Sequence, residues 1–128
     1  MRIEEIQIME NDNNGVINLV RDRLFWRAWE RSAYLFNMHI IPYKVQHKSY
    51  KQINKEMLFI GFPDTSLDKV KRISTGQHFD IHNVSEAHII ISGMPVTDGF
   101  TEWCAAIMKT QGGSQPKMRN ISESRLAK

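Results

Sequence analysis

The apolar residues between Val16 and Phe36 change period partway along, and this change restricts the fold more than any other feature of the sequence. Val16 to Leu24 reads as a strand, whereas Phe25, Trp29, Ala33 and Phe36 fall along one face of a helix. That helix is expected to end near Asn37 to His39, ahead of Pro42, because the segment before a proline disfavours helical backbone. A strand-to-helix junction therefore lies within RDRLFWRAWERSAYLF, Arg21 to Phe36, a stretch that also carries five aromatic rings and four arginines.

Upstream of it, Ile3, Ile6 and Ile8 recur at mixed spacing, which predicts a short strand over Ile3 to Met9, and Asn11-Asp12-Asn13-Asn14-Gly15 predicts a turn. Downstream, Tyr43 to Ile53 alternates between polar and less polar residues and Lys55 to Phe62 is richer in apolar ones. The two read as a hairpin joined at Ile53-Asn54-Lys55, with Lys44, Gln46 and Lys48 on one outward face. Phe62-Pro63-Asp64-Thr65-Ser66 breaks the second strand. Thr65 or Ser66 then caps a helix from Leu67 to about Ser74, closed by Thr75-Gly76, with Leu67, Val70 and Ile73 inward. Phe79 to Val84 and Ala87 to Ser92 predict another hairpin, and His88-Ile89-Ile90-Ile91 is apolar enough for a central strand. Gly93-Met94-Pro95 leads to a last helix, Asp98 to Lys109, carrying Phe100, Trp103, Ala106 and Ile107. Residues 111–128 have no apolar period and predict a disordered basic tail. The expected whole is an α/β (α+β) domain over residues 1–110, with a mixed sheet of about six strands packed with about three helices.

A chain of 128 residues, 41% apolar and 24% charged, suits a single globular domain rather than a multi-domain enzyme. It contains no apolar run of about 18 residues, and Met1-Arg2-Ile3-Glu4-Glu5 does not resemble a signal peptide, so a cytoplasmic protein without a membrane partner is expected. The single cysteine, Cys104, falls in an apolar stretch and reads as a structural thiol. The tail from Lys117 onward supplies the whole formal excess of +3, since the rest balances at thirteen basic and thirteen acidic residues. Within that balanced body the charge is segregated. Arg21, Arg23, Arg27, Arg31, Lys44, Lys48, Lys51 and Lys55 face only Asp22 and Glu30 in the same stretch.

Familiar chemistry is absent from the sequence. Neither glycine-rich phosphate-binding pattern can be matched, so no nucleotide cofactor is expected. His78 and His82 would lie about 13 Å apart along a strand, too far to share a metal ion. Asp64 and Asp68 begin a helix, where carboxylates complement the dipole without any acid-base role. These observations lead to the expectation of a non-enzyme with no catalytic residues, metal or cofactor.

The junction itself admits two readings. Extended through Arg27, it would place Arg21, Arg23, Phe25 and Arg27 on one side, rings between guanidinium groups, as suits nucleic acid. If the helix starts near Leu24, Phe25 and Trp29 are core residues and the arginines a solvated face.

The chain resembles the N-terminal mismatch-recognition domain of the DNA mismatch repair protein MutS, in which a strand ending in Phe-x-Glu leads into a helix. Arg21, Phe25 and Ala33 stand at the spacing of that family's arginine, motif phenylalanine and alanine, with Trp26 and Trp29 at its other aromatic positions. FIGFPDTSLDKVKRI, Phe59 to Ile73, is similar to the family's Gly-x-Pro segment through Gly61 and Pro63. The resemblance spans roughly Val16 to Ile91. It implies that Phe25 is the ring placed beside a base, whereas Arg27 stands where the family has its glutamate. The resulting expectation is a nucleic-acid-binding module without the family's ATPase. Phe25, Trp26 and Arg27 would meet bases, and Arg21, Arg23, Lys44, Lys48 and Lys51 would meet phosphates. The alternative is a protein-interaction domain that keeps the fold but not DNA recognition.

Overall fold

The computed structural model describes residues 1–112. Its first element is a helix, α1 (Ile3–Asn11), where a strand was expected. The backbone N–H of Arg2 donates to the Glu5 carboxylate at 2.7 Å, and Glu4 and Glu5 occupy the first turn, where the helix dipole favours acids. Ile3, Ile6 and Met9 are three residues apart and share the packed face, leaving Ile8 exposed. The turn that follows forms as expected. Asn13 Oδ1 accepts from the N–H groups of Gly15 and Val16 at 2.9 and 3.0 Å, and Gly15 adopts φ +122°, a conformation that needs glycine.

The segment Arg21 to Phe36 holds a hairpin as well as a junction. Strand β1 (Ile17–Asp22) turns through Arg23-Leu24 into β2 (Phe25–Trp29), and α2 (Glu30–His39) follows at once. The expected strand through Leu24 is therefore cut two residues short, and the helix begins at Glu30, so Phe25 and Trp29 are strand residues. Glu30 takes a left-handed φ of +50°, which redirects the chain from strand to helix. Its carboxylate holds the bend by accepting from the Leu58 N–H at 2.8 Å and the Lys55 ammonium at 3.3 Å.

Two further hairpins match the sequence reading. Strands β3 (Gln46–Tyr50) and β4 (Lys55–Pro63) are joined by a 3-10 turn, Lys51–Ile53, and by Asn54 at φ +49°. After a second 3-10 turn, Asp64–Ser66, comes α3 (Leu67–Gly76), then β5 (Asp80–Ser85) and β6 (His88–Ser92). The six strands form one sheet in the order β3-β4-β2-β1-β6-β5, and every pairing is antiparallel rather than mixed.

Alternation divides the side chains between the two sheet faces. Leu19, Trp26, Ala28, Ile60, Phe62 and Ile89 point to the face covered by α2 and α3 and are buried; Phe62 stacks on Phe36 of α2 at 5.6 Å. On the opposite face, Ile6 of α1 packs with Val20, Trp29, Met57 and Phe59. Residues Met1–Thr97 make up one unit, which contains the whole sheet. A second unit starts at Asp98. Its described part is a fourth helix, α4 (Phe100–Gly112), in which Phe100 and Trp103 stack at 6.2 Å and Cys104 is half-buried. Helix α4 runs through Gln111 and Gly112, the first two residues of the expected tail, and the remainder of that tail lies outside the described residues. No helix among the described residues is long and apolar enough to cross a membrane.

Candidate nucleic-acid interface

The β1–β2 hairpin is a two-residue turn. Asp22 opposes Phe25, Arg21 opposes Trp26 and Val20 opposes Arg27. Arg23 adopts φ +59° at the tip, Leu24 is 71% exposed and Phe25 48% exposed. A single carboxylate fixes the base of this projection. Asp64, just after β4, accepts from the Trp26 indole N–H at 2.7 Å and from the Arg21 guanidinium at 3.1 Å, and its own backbone N–H donates to the Leu24 carbonyl at 2.7 Å. Arg21 also donates through Nε to the Arg23 carbonyl at 3.0 Å and lies 5.8 Å from the centre of the Trp26 ring.

These contacts redistribute the residues expected to act together. Arg21 shares its sheet face with Trp26, towards α2 and α3, while Phe25 and Arg27 are on the α1 side. The expected single row of Arg21, Arg23, Phe25 and Arg27 does not form, because the turn at Arg23-Leu24 reverses the chain between them. Trp26 is 2% exposed, so its ring belongs to the core and cannot stack on a base. Arg27 is half-buried, 3.3 Å from Asp22 and 5.4 Å from the centre of the Phe59 ring. Lys48 is exposed on the same face of β3, its ammonium 5.4 Å from the Tyr50 ring centre. Lys44, before β3, and Lys51, in the 3-10 turn, are exposed as well. The register sets Phe25 opposite Pro63 and Tyr50 opposite Lys55, so Lys51 lies about 26 Å along the strands from Phe25. The residues brought together are thus Arg23, Leu24 and Phe25 at the tip, with Arg27 and Lys48 on the face behind.

A second polar constellation was not foreseen. The Glu10 carboxylate, 3% exposed at the end of α1, accepts from the Ser32 backbone N–H at 3.0 Å, the Ser32 hydroxyl at 2.5 Å, and the Asn13 and Asn18 side-chain amides at 3.1 and 3.3 Å. It caps the first turn of α2, whose own N-cap, Trp29, has no side-chain oxygen to offer. Asn18 Oδ1 lies 3.0 Å from His88 Nε2, which extends the network to β6. Burial pushes the Glu10 carboxyl above the usual 4.5, against the pull of its hydrogen bonds, and burial followed by nearby His82 holds His88 below the usual 6.5. The Asn-rich turn marked this region in the sequence, but nothing there indicated that Glu10 would be buried. Among the described residues no group of three His, Cys, Asp or Glu side chains could hold a metal ion.

Comparison of the chain with protein-family models, with curated proteins and with solved structures finds no match.

Proposed function

We propose that this chain is a non-catalytic nucleic-acid-binding module that engages its ligand through the β1–β2 tip and the sheet face behind it. The observation that carries the reading is the exposed Phe25, held on a braced hairpin beside Arg23 and on the same face as Arg27 and Lys48. A ring of this kind stacks on or wedges beside a base, while neighbouring cations hold phosphates. Arg27 only donates hydrogen bonds, so the site reads bases without the acceptor that the glutamate of the MutS motif would supply, and strong discrimination between paired and mispaired bases is not expected. With three phosphate contacts, from Arg23, Arg27 and Lys48, affinity falls about 40-fold between 50 and 200 mM salt. Titration of mismatched duplex, perfect duplex and single-stranded DNA, followed by tryptophan fluorescence, tests this. Phe25→Ala should weaken binding at least about fivefold with unchanged thermal stability. Binding that ignores both salt and Phe25→Ala counts against the reading.

One observation favours a second reading, docking of a protein. Arg21 and Arg27 each have an ion-pair partner within the chain, and Leu24 with Phe25 forms an exposed apolar pair. Salt-insensitive capture of a protein, lost in Leu24→Ser, would select it.

A further inference from the structure

We propose that the cavity between the first turn of α1 and the α1 side of the sheet is a phosphate-binding site. This cavity, of about 320 Å³, has Ile3, Ile6, Asp22, Arg27, Trp29 and Lys48 among its lining residues, with Tyr50 beside Lys48. Arg27 reaches it from β2 and Lys48 from β3, each guanidinium or ammonium resting on a ring, Phe59 or Tyr50. Those stacking contacts limit the side chains' freedom and so reduce the entropy lost when a ligand is held. Two cations face one carboxylate. The Arg27–Asp22 pair, at 3.3 Å with both partners partly in solvent, is weak enough to rearrange around a stronger anion, and Arg27 has further N–H donors beyond it.

Trp29 supplies the second observation. The residue is 6% exposed, and its indole N–H is buried with no hydrogen-bond partner among the described residues. Buried donors in native proteins nearly always have acceptors, so an unpaired one on a residue that lines the cavity with Arg27 and Lys48 points to an acceptor that a ligand brings. The donors come from three side chains on two strands and offer no acceptor of their own, which suits an anion with several oxygens and no N–H groups. A phosphate meets that description. Arg27 lies two residues, about 7 Å, along β2 from Phe25. One nucleic-acid strand can therefore reach both, and the assignment rests on the nucleic-acid reading only for the source of the phosphate.

The test is a titration of the full chain with inorganic phosphate at constant ionic strength in chloride, read by the indole N–H resonances. The expected result is saturable binding in the millimolar range or tighter that moves the Trp29 resonance. Trp29→Phe should weaken it about fivefold and Lys48→Gln about tenfold, the latter on an exposed side chain whose loss leaves the fold intact. Absence of saturation up to about 50 mM overturns the assignment, as does binding unchanged in both variants. Phe25→Ala keeps phosphate binding, so failure of the nucleic-acid reading leaves this result distinct. Oligonucleotides with and without a 5′ phosphate identify the source. Displacement of phosphate by both assigns a backbone phosphate, by the phosphorylated one alone a terminal phosphate, and by neither a free phosphate.

Discussion

Asp64 shows how much can depend on one side chain. It closes the base of the β1–β2 hairpin from both sides, and its loss leaves the Trp26 indole N–H buried without an acceptor. Asp64→Ala should lower stability by about 2 kcal/mol, nearly all of it from that orphaned donor, because the half-exposed pair with Arg21 is worth little. Urea denaturation measures it, and a change below about 0.5 kcal/mol would show that water replaces the carboxylate. At this scale Phe25 is exposed, as the recognition reading requires, whereas Trp26, grouped with it in the sequence reading, is buried. Neighbours on a strand point to opposite faces, so exposing one ring buries the next. The grouping of Arg21 with Phe25 failed for a related reason. The turn at Arg23-Leu24 has none of the Gly, Asn or Pro that announce a hairpin, and Arg23 takes the left-handed conformation itself. Arg23→Gly should thus stabilise the chain by about 0.5 kcal/mol while removing one phosphate contact and flattening the salt dependence of DNA binding. Loss of stability in that variant would place the tip's strain elsewhere.

Among the elements, α1 departs most from the sequence reading. Its three inward residues are spaced for a helix, but with Ile8 among them the pattern over nine residues also fits a strand, and the Arg2–Glu5 contact decides the outcome. What α1 contributes is equally hidden, because Glu10 caps a different helix. Glu10→Ala should cost about 3 kcal/mol by stripping acceptors from Ser32, Asn13 and Asn18, and should increase hydrogen exchange in the first turn of α2. A loss confined to α1, with α2 protection intact, would contradict the capping role. Two of the three hairpins and α3, by contrast, were legible because each is built from neighbouring residues: β3 with β4, β5 with β6, and an inward Val70 stripe after the break at Pro63.

For the whole molecule, the buried network makes stability depend on pH in two opposed ways. Glu10 has a raised pKa when folded, so its contribution is full below about 4.5 and is lost as pH rises through the folded value. His88 has a lowered one, so its contribution is full above about 6.5 and is lost as pH falls towards its folded value. Thermal melts across this range should show a decline on acidification below 6.5 that His88→Gln removes, and persistence of the decline in that variant would assign it to another group. The α/β class was readable from the chain, and the count of six strands agrees only because α1 replaces one expected strand while β2 adds another; the strand order was not readable, because β2 with β4 and β1 with β6 join segments far apart in sequence. That order also bears on synthesis. Until Ser92 has left the ribosome, β1 has no second neighbour, and Ile17 to Val20, the most thoroughly buried strand segment, presents an open edge. A chain stalled before that point would offer its stickiest strand to other chains, so recruitment of a chaperone should peak during the interval between translation of β1 and of β6.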